Sequence, residues 1–158
     1  MQLTSNSITN DFSVEINFTG TNLDPDRVTE IIGLQPVKVS RAGEPRKAGA
    51  NDLHEEGFWS YETSSNDEIT ECRDHQLNCL VDTVEPHIDS LREAGVDRVY
   101  FYYTLSSFVG LMNIRFKAET LEKIGRINAD LYVSCFDCFN PQHSFWQTEP
   151  QADGQAQA

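Results

Sequence analysis

The sequence predicts an α+β fold: a single, mostly antiparallel sheet of about five or six strands with helices packed on it, in one version divided into two ferredoxin-like βαβ halves. Three observations predict it. Strand-like alternation recurs, first in "FSVEINF", where Phe12, Val14, Ile16 and Phe18 point one way and Ser13, Glu15 and Asn17 the other. Residues 70 to 95 carry a helical period instead. The segment "INF…VTEIIGLQPVKVS" also has an echo in "IRF…LEKIGRINADLYVS", each a strand, a short helix with a Gly and a strand.

The elements follow in order. After the first strand, "LDPDRVTEIIG" places Asp24 as N-cap, Pro25 as first helical residue and Gly33 as stop, with Val28, Ile31 and Ile32 as the buried stripe. "PVKVS" is short and extended, "RAGEPRKAGANDLHEEG" is a loop rich in Gly and charge, and "FWSYETS" reads as a strand. In residues 70 to 95, Leu77, Leu80, Val81, Val84, Ile88 and Leu91 share one helical sector. Pro86 removes a donor and crowds the preceding turn, so a kink or two shorter helices are expected. "VDRVYFYYTLSS" is apolar on both faces and reads as an interior strand. "VGLMNIRFKA" alternates through Met112, Ile114 and Phe116 and reads as another strand; "ETLEKIGRINA" is a short helix and "DLYVSCF" the last strand.

At 158 residues the chain suits one domain with a buried core. The expected division is an extension over 1–11, an α+β domain over 12–146 and a disordered acidic and polar tail over 147–158, where "QTEPQADGQAQA" offers no apolar anchor. No apolar run has the roughly 20 residues of a membrane helix. "MQLTSNSITNDF" lacks the basic start and apolar run of a signal peptide, so a cytoplasmic location is expected. Four Cys in a chain with no sign of secretion point to free thiols. The formal charge is −13, and residues 52–97, with 13 acids and 2 bases, hold most of it. Such a segment repels nucleic acid and anionic membrane and attracts basic proteins, or it is a solvated face that keeps the chain soluble.

Taken together, "DPDRVTEIIGLQP", "RAGEP", "GFWSYET", the helical region with its Pro, and "IGRINADLYVSCF" resemble the bacterial family of the domain of unknown function 4279. The resemblance runs from residue 12 to 139. Its most specific parts are Gly-Leu-x-Pro at Gly33 to Pro36, the Gly43-Glu44 pair and Gly57-x-Trp59. It implies a bacterial α+β domain and no mechanism.

The residues themselves offer three constellations. Lys38, Arg41, Arg46 and Lys47 gather a third of the cations in ten positions; with His54 and Trp59 nearby they form a candidate anion or ligand pocket. The alternatives are a solvated loop, or pairing with the acids of residues 52 to 71. Glu62, Asp67, Glu68 and Glu71 are the candidate partner-binding acids. Cys72, His75 and Cys79 fall within about 60° of one helix face, a chemically plausible metal set that needs a fourth ligand such as Cys138 or His143; exposed residues on an irregular helix end are the alternative. Cys135-x-x-Cys138 lacks the second pair of a zinc ribbon, and Cys135 is expected to share a buried face with Leu131 and Val133. No G-x-S-x-G elbow is present, Trp59 and Trp146 suit packing better than a ligand platform, and no cofactor is expected. The expected function is therefore non-catalytic: a module whose acidic face docks a basic protein, such as an immunity or inhibitor protein against a basic toxin nuclease. The alternative is a small-anion or ligand-binding protein, or an unrecognised enzyme, using the loop from Lys38 to Lys47.

Overall fold

A computed structural model of the chain describes residues 12–47, 52–63, 73–107 and 114–137. Five strands form one sheet: β1 (Phe12–Gly20), β2 (Lys38–Ser40), β3 (Gly57–Thr63), β4 (Arg98–Ser107) and β5 (Ala129–Asp137), in the order β2-β3-β1-β4-β5. β1 pairs antiparallel with β3 and β4, and β2 pairs antiparallel with β3. Only β4 and β5 run parallel, joined through α4 (Ala118–Arg126). The α+β expectation therefore stands, with β4 interior as its double-sided apolar pattern required.

The first helix, α1 (Pro25–Ile32), begins and ends where its sequence signals lie. The Asp24 carboxylate accepts from the backbone N–H of Asp26 and Arg27, Pro25 opens the helix, and Gly33 closes it at φ 74°, a left-handed conformation that costs Gly little. Pro86 interrupts the long helical region: α2 (Arg73–Val84) passes through a single 3-10 turn (Glu85–His87) into α3 (Ile88–Glu93). The proline ring meets the first turn of a new segment, where its missing N–H has no partner to lose.

Two expectations need correction. Of the strand expected over residues 109–118, residues 109–113 lie outside the described residues; 114–117 join no strand among the described residues, and Ala118 already belongs to α4. Period-two alternation belongs to any extended chain. Here Ile114 and Phe116 pack on the core, the Phe116 ring meeting Tyr103 edge-on at 5.4 Å, without a ladder. The second βαβ half is therefore β4-α4-β5, not one that starts at "IRF". Cys135 and Val133 are also exposed, Val133 by 44%. They lie on the core-side face, but β5 is the sheet's edge strand and that face is covered there only as far as half-buried Leu131.

One face of the sheet carries the core. Val14, Ile16 and Phe18 of β1, Trp59 of β3 and Val99, Phe101 and Tyr103 of β4 meet Val28, Leu77, Val81, Leu91 and Ile124 of the helices, all buried. The Trp59 indole N–H donates to Thr29 Oγ1 at 3.0 Å, which ties α1 to β3. At one end of the sheet the chain crosses itself closely. A Cβ on Gly20 would collide with the carbonyl of Gly95, and one on Gly95, at φ 85°, with that of Asn22. Asp97 completes this corner by accepting from the Thr21 backbone N–H at 3.0 Å.

Candidate functional site

The other face has no helix on it among the described residues, and strand register fixes what it presents. Side chains directly opposite one another share a face. Rows across the sheet therefore read Ser40, Phe58, Thr19 and Arg98; then Lys38, Ser60, Asn17, Tyr100 and Asp130; then Glu62, Glu15, Tyr102 and Tyr132. A strand-forming sequence that places polar residues at every second position produces this open face automatically. The tyrosines are the exception to its polarity. Tyr102 and Tyr132 lie 4.9 Å apart between ring centroids, and Tyr100 meets both rings edge-on at 5.7 and 6.0 Å.

The middle of this face is polar and unusually dry. Asn17 and Ser60 are each only 1% exposed, and Thr19 and Ser40 are buried beside them. Asn17 Nδ2, Thr19 Oγ1, Ser40 Oγ and Ser60 Oγ have no hydrogen-bond partner of normal geometry. These four contiguous groups are all the buried unpartnered side-chain polar atoms among the described residues. Next to them, burial pushes the Glu15 carboxyl above its ordinary range, and the facing Glu62 carboxylate pushes it the same way; neighbouring Ser60, Asn17 and Lys38 pull it back. Burial also raises the Tyr100 phenol, with Tyr102 and Glu15 adding to the rise.

The basic loop divides. Arg41 turns back to α1, reaching Asp26 at 2.6 Å and Asp24 at 3.5 Å, and its backbone N–H donates to Glu44. Arg46 pairs with Asp52 at 3.5 Å, Lys47 is exposed, and Trp59 belongs to the core. The loop therefore neutralises one acid of the 52–71 stretch in the described residues, and otherwise serves the start of α1. Lys38, Arg46 and His54 do come together. With Glu55, Glu56, Phe58, Thr19 and Ser40 they line an open cavity of about 290 Å³, and Lys38 lies over the Phe58 ring at 5.3 Å. Two of the four unpartnered hydroxyl and amide groups, those of Thr19 and Ser40, are in its lining.

Of the predicted partner-binding acids, Glu62 stands exposed on the open face. Asp67, Glu68 and Glu71 lie outside the described residues, as do Cys72, Cys138 and His143. His75 and Cys79 do meet, Nε2 to Sγ at 3.3 Å, on the exposed side of α2. Among the described residues no group of three or more His, Cys, Asp or Glu is placed to hold a metal, and no helix is long and apolar enough to cross a membrane. The tyrosine cluster was hidden in the sequence because "VYFYY" reads as apolar on both faces. Splitting it by phase, with Val99, Phe101 and Tyr103 inward and Tyr100 and Tyr102 outward, is the signal that would have exposed it.

A family model described as "Domain of unknown function (DUF4279)" matches residues 10–136 of the chain. No curated protein and no solved structure matches.

Proposed function

The chain belongs to the family of the Domain of unknown function (DUF4279), and we propose that it works by binding: the open face of its sheet docks a basic protein. The observation that carries this reading is the row of Glu62, Glu15, Tyr102 and Tyr132, on a face that no helix covers among the described residues. A lysine or arginine side chain laid along that row meets two facing carboxylates and the faces of a tyrosine pair. A cation over such a ring gains about 0.5–2 kcal/mol, more as water leaves. It also offsets the Glu62 repulsion that, after burial, raises the Glu15 carboxyl. The surplus charge of −11 over residues 52–97 speeds encounter with such a partner and selects against acidic ones. An inhibitor or immunity protein that blocks a basic toxin nuclease is one protein of this kind, in a bacterial cytoplasm.

Titration with an arginine-rich peptide tests this directly. We expect binding that weakens steeply between 50 and 200 mM salt (about those concentrations, a range over which screening lengths shorten). It should fall about tenfold or more in Glu62→Lys and in Tyr102→Ala. Equal binding by parent and both variants would refute the reading.

A second reading rests on the cavity that gathers Lys38, Arg46 and His54 over Thr19 and Ser40. In it a small anion or polar ligand is held by the two cations, with the hydroxyls as donors. Chemical-shift changes confined to these residues on adding inorganic phosphate, and abolished in Arg46→Ala, would favour it.

A further inference from the structure

A second cavity, of about 220 Å³, lies on the helical side of the sheet, against the outer surface of α2 and away from the docking face. Leu34, Tyr61 and Leu80 give it apolar walls; Thr63, Gln76, His75, Cys79 and Thr83 give it polar groups. Three of these are arranged for chemistry. The exposed Cys79 thiol stands 3.3 Å from His75 Nε2, one helical turn away, which is the separation at which an imidazole takes a thiol's proton. Thr83 donates to the Cys79 carbonyl at 2.7 Å and so leaves the sulfur itself uncommitted to it. Gln76 is only 6% exposed, and one end of its carboxamide meets the Thr63 hydroxyl at 2.5 Å. The same side chain lines the cavity. A nucleophile, a base and a buried hydrogen-bonding group thus surround one apolar-walled space.

We propose that Cys79 is a reactive thiol that forms a mixed disulfide with a small-molecule disulfide, the cavity taking the retained half. This is independent of the docking reading. His75 Nε2 removes the Cys79 proton, and the thiolate attacks one sulfur of R–S–S–R. A bond forms between Cys79 Sγ and that sulfur as the R–S–S–R bond breaks. The second half leaves as a thiolate and takes the proton from His75. Cys79 is oxidised, the departing sulfur is reduced, and no further oxidant is needed. The carboxamide of Gln76 hydrogen-bonds a polar group on the retained half, such as a carboxyl or amide, and Leu34, Tyr61 and Leu80 cover its carbon chain.

Cys135 supplies an internal comparison, because it is also free and exposed but no histidine is paired with it among the described residues. The full chain is treated with glutathione disulfide at neutral pH, and adduct formation at each cysteine is followed by peptide mass spectrometry. Cys79 should be modified at least about tenfold faster than Cys135, a difference of the size a positioned base supplies. His75→Gln should bring the Cys79 rate down to that of Cys135, and Gln76→Leu should slow glutathione disulfide without slowing a small uncharged alkylating reagent. Equal rates at Cys79 and Cys135 in the unmutated chain would overturn the proposal, as would a His75→Gln chain with its Cys79 rate unchanged. The first comparison needs no variant, so a misfolded substitution does not rescue the idea.

Discussion

Glu15 is half-buried between Glu62 and Tyr102, and its carboxyl is raised by burial first and by Glu62 second. The folded state therefore holds this proton more tightly than the unfolded chain does. Stability falls as pH rises from the ordinary carboxylate range through the raised value, and below that range the loss is absent. Glu15→Gln should accordingly be more stable than the parent at neutral pH, by about a few tenths of a kcal/mol because solvent still screens the group. The two melting temperatures should converge below about pH 4, where both states of a carboxyl carry the proton. Bound cation reverses the sign: ionised Glu15 becomes the favoured form, and peptide binding should release protons near that pH, measurable by calorimetry in buffers of different ionisation enthalpy. The sequence marked Glu15 only as an outward-facing strand residue. Its company comes from register with strands about 50 and 90 positions away, and no local pattern encodes that pairing.

At the scale of elements, the most legible pieces were those whose boundaries are chemical. Asp24, Pro25 and Gly33 define α1, and Pro86 breaks the helical region, because caps and prolines act within a few residues of themselves. Asp24→Ala should cost about 1 kcal/mol by chemical denaturation, through two orphaned backbone donors. Gly95→Ala should cost about 1–3 kcal/mol, since the residue sits at φ 85° with the Asn22 carbonyl where a methyl would go. In the strand expected over residues 109–118, the described part, 114–117, joins no ladder. Its alternation is real, and Ile114 and Phe116 do pack on the core, but alternation alone does not encode backbone pairing. The Lys38 to Lys47 cations divide among targets for a similar reason: Arg41 finds α1, sequence-distant but adjacent in space.

The whole molecule is two-sided. One face of the sheet is sealed by helices, and α4 is tied to the α2 region by Lys123 with Asp82 and Arg126 with Glu85, ion pairs that raise both cations' proton affinity. The other face has no helix on it among the described residues, and presents Glu62 and the tyrosines around a buried polar floor. Sidedness of this kind was readable from alternation alone; the identity of the strip was not. The strand order has a further implication, for the way the chain is born. β1 leaves the ribosome before any other strand, yet it is the middle of the sheet, and one of its two partners begins only at Arg98. A nascent chain halted at residue 97 holds an apolar strand with one edge bare, a template for pairing with a second copy. Such a fragment should be trapped in aggregates or by chaperones, and lengthening it to residue 137 should restore a cooperative melt.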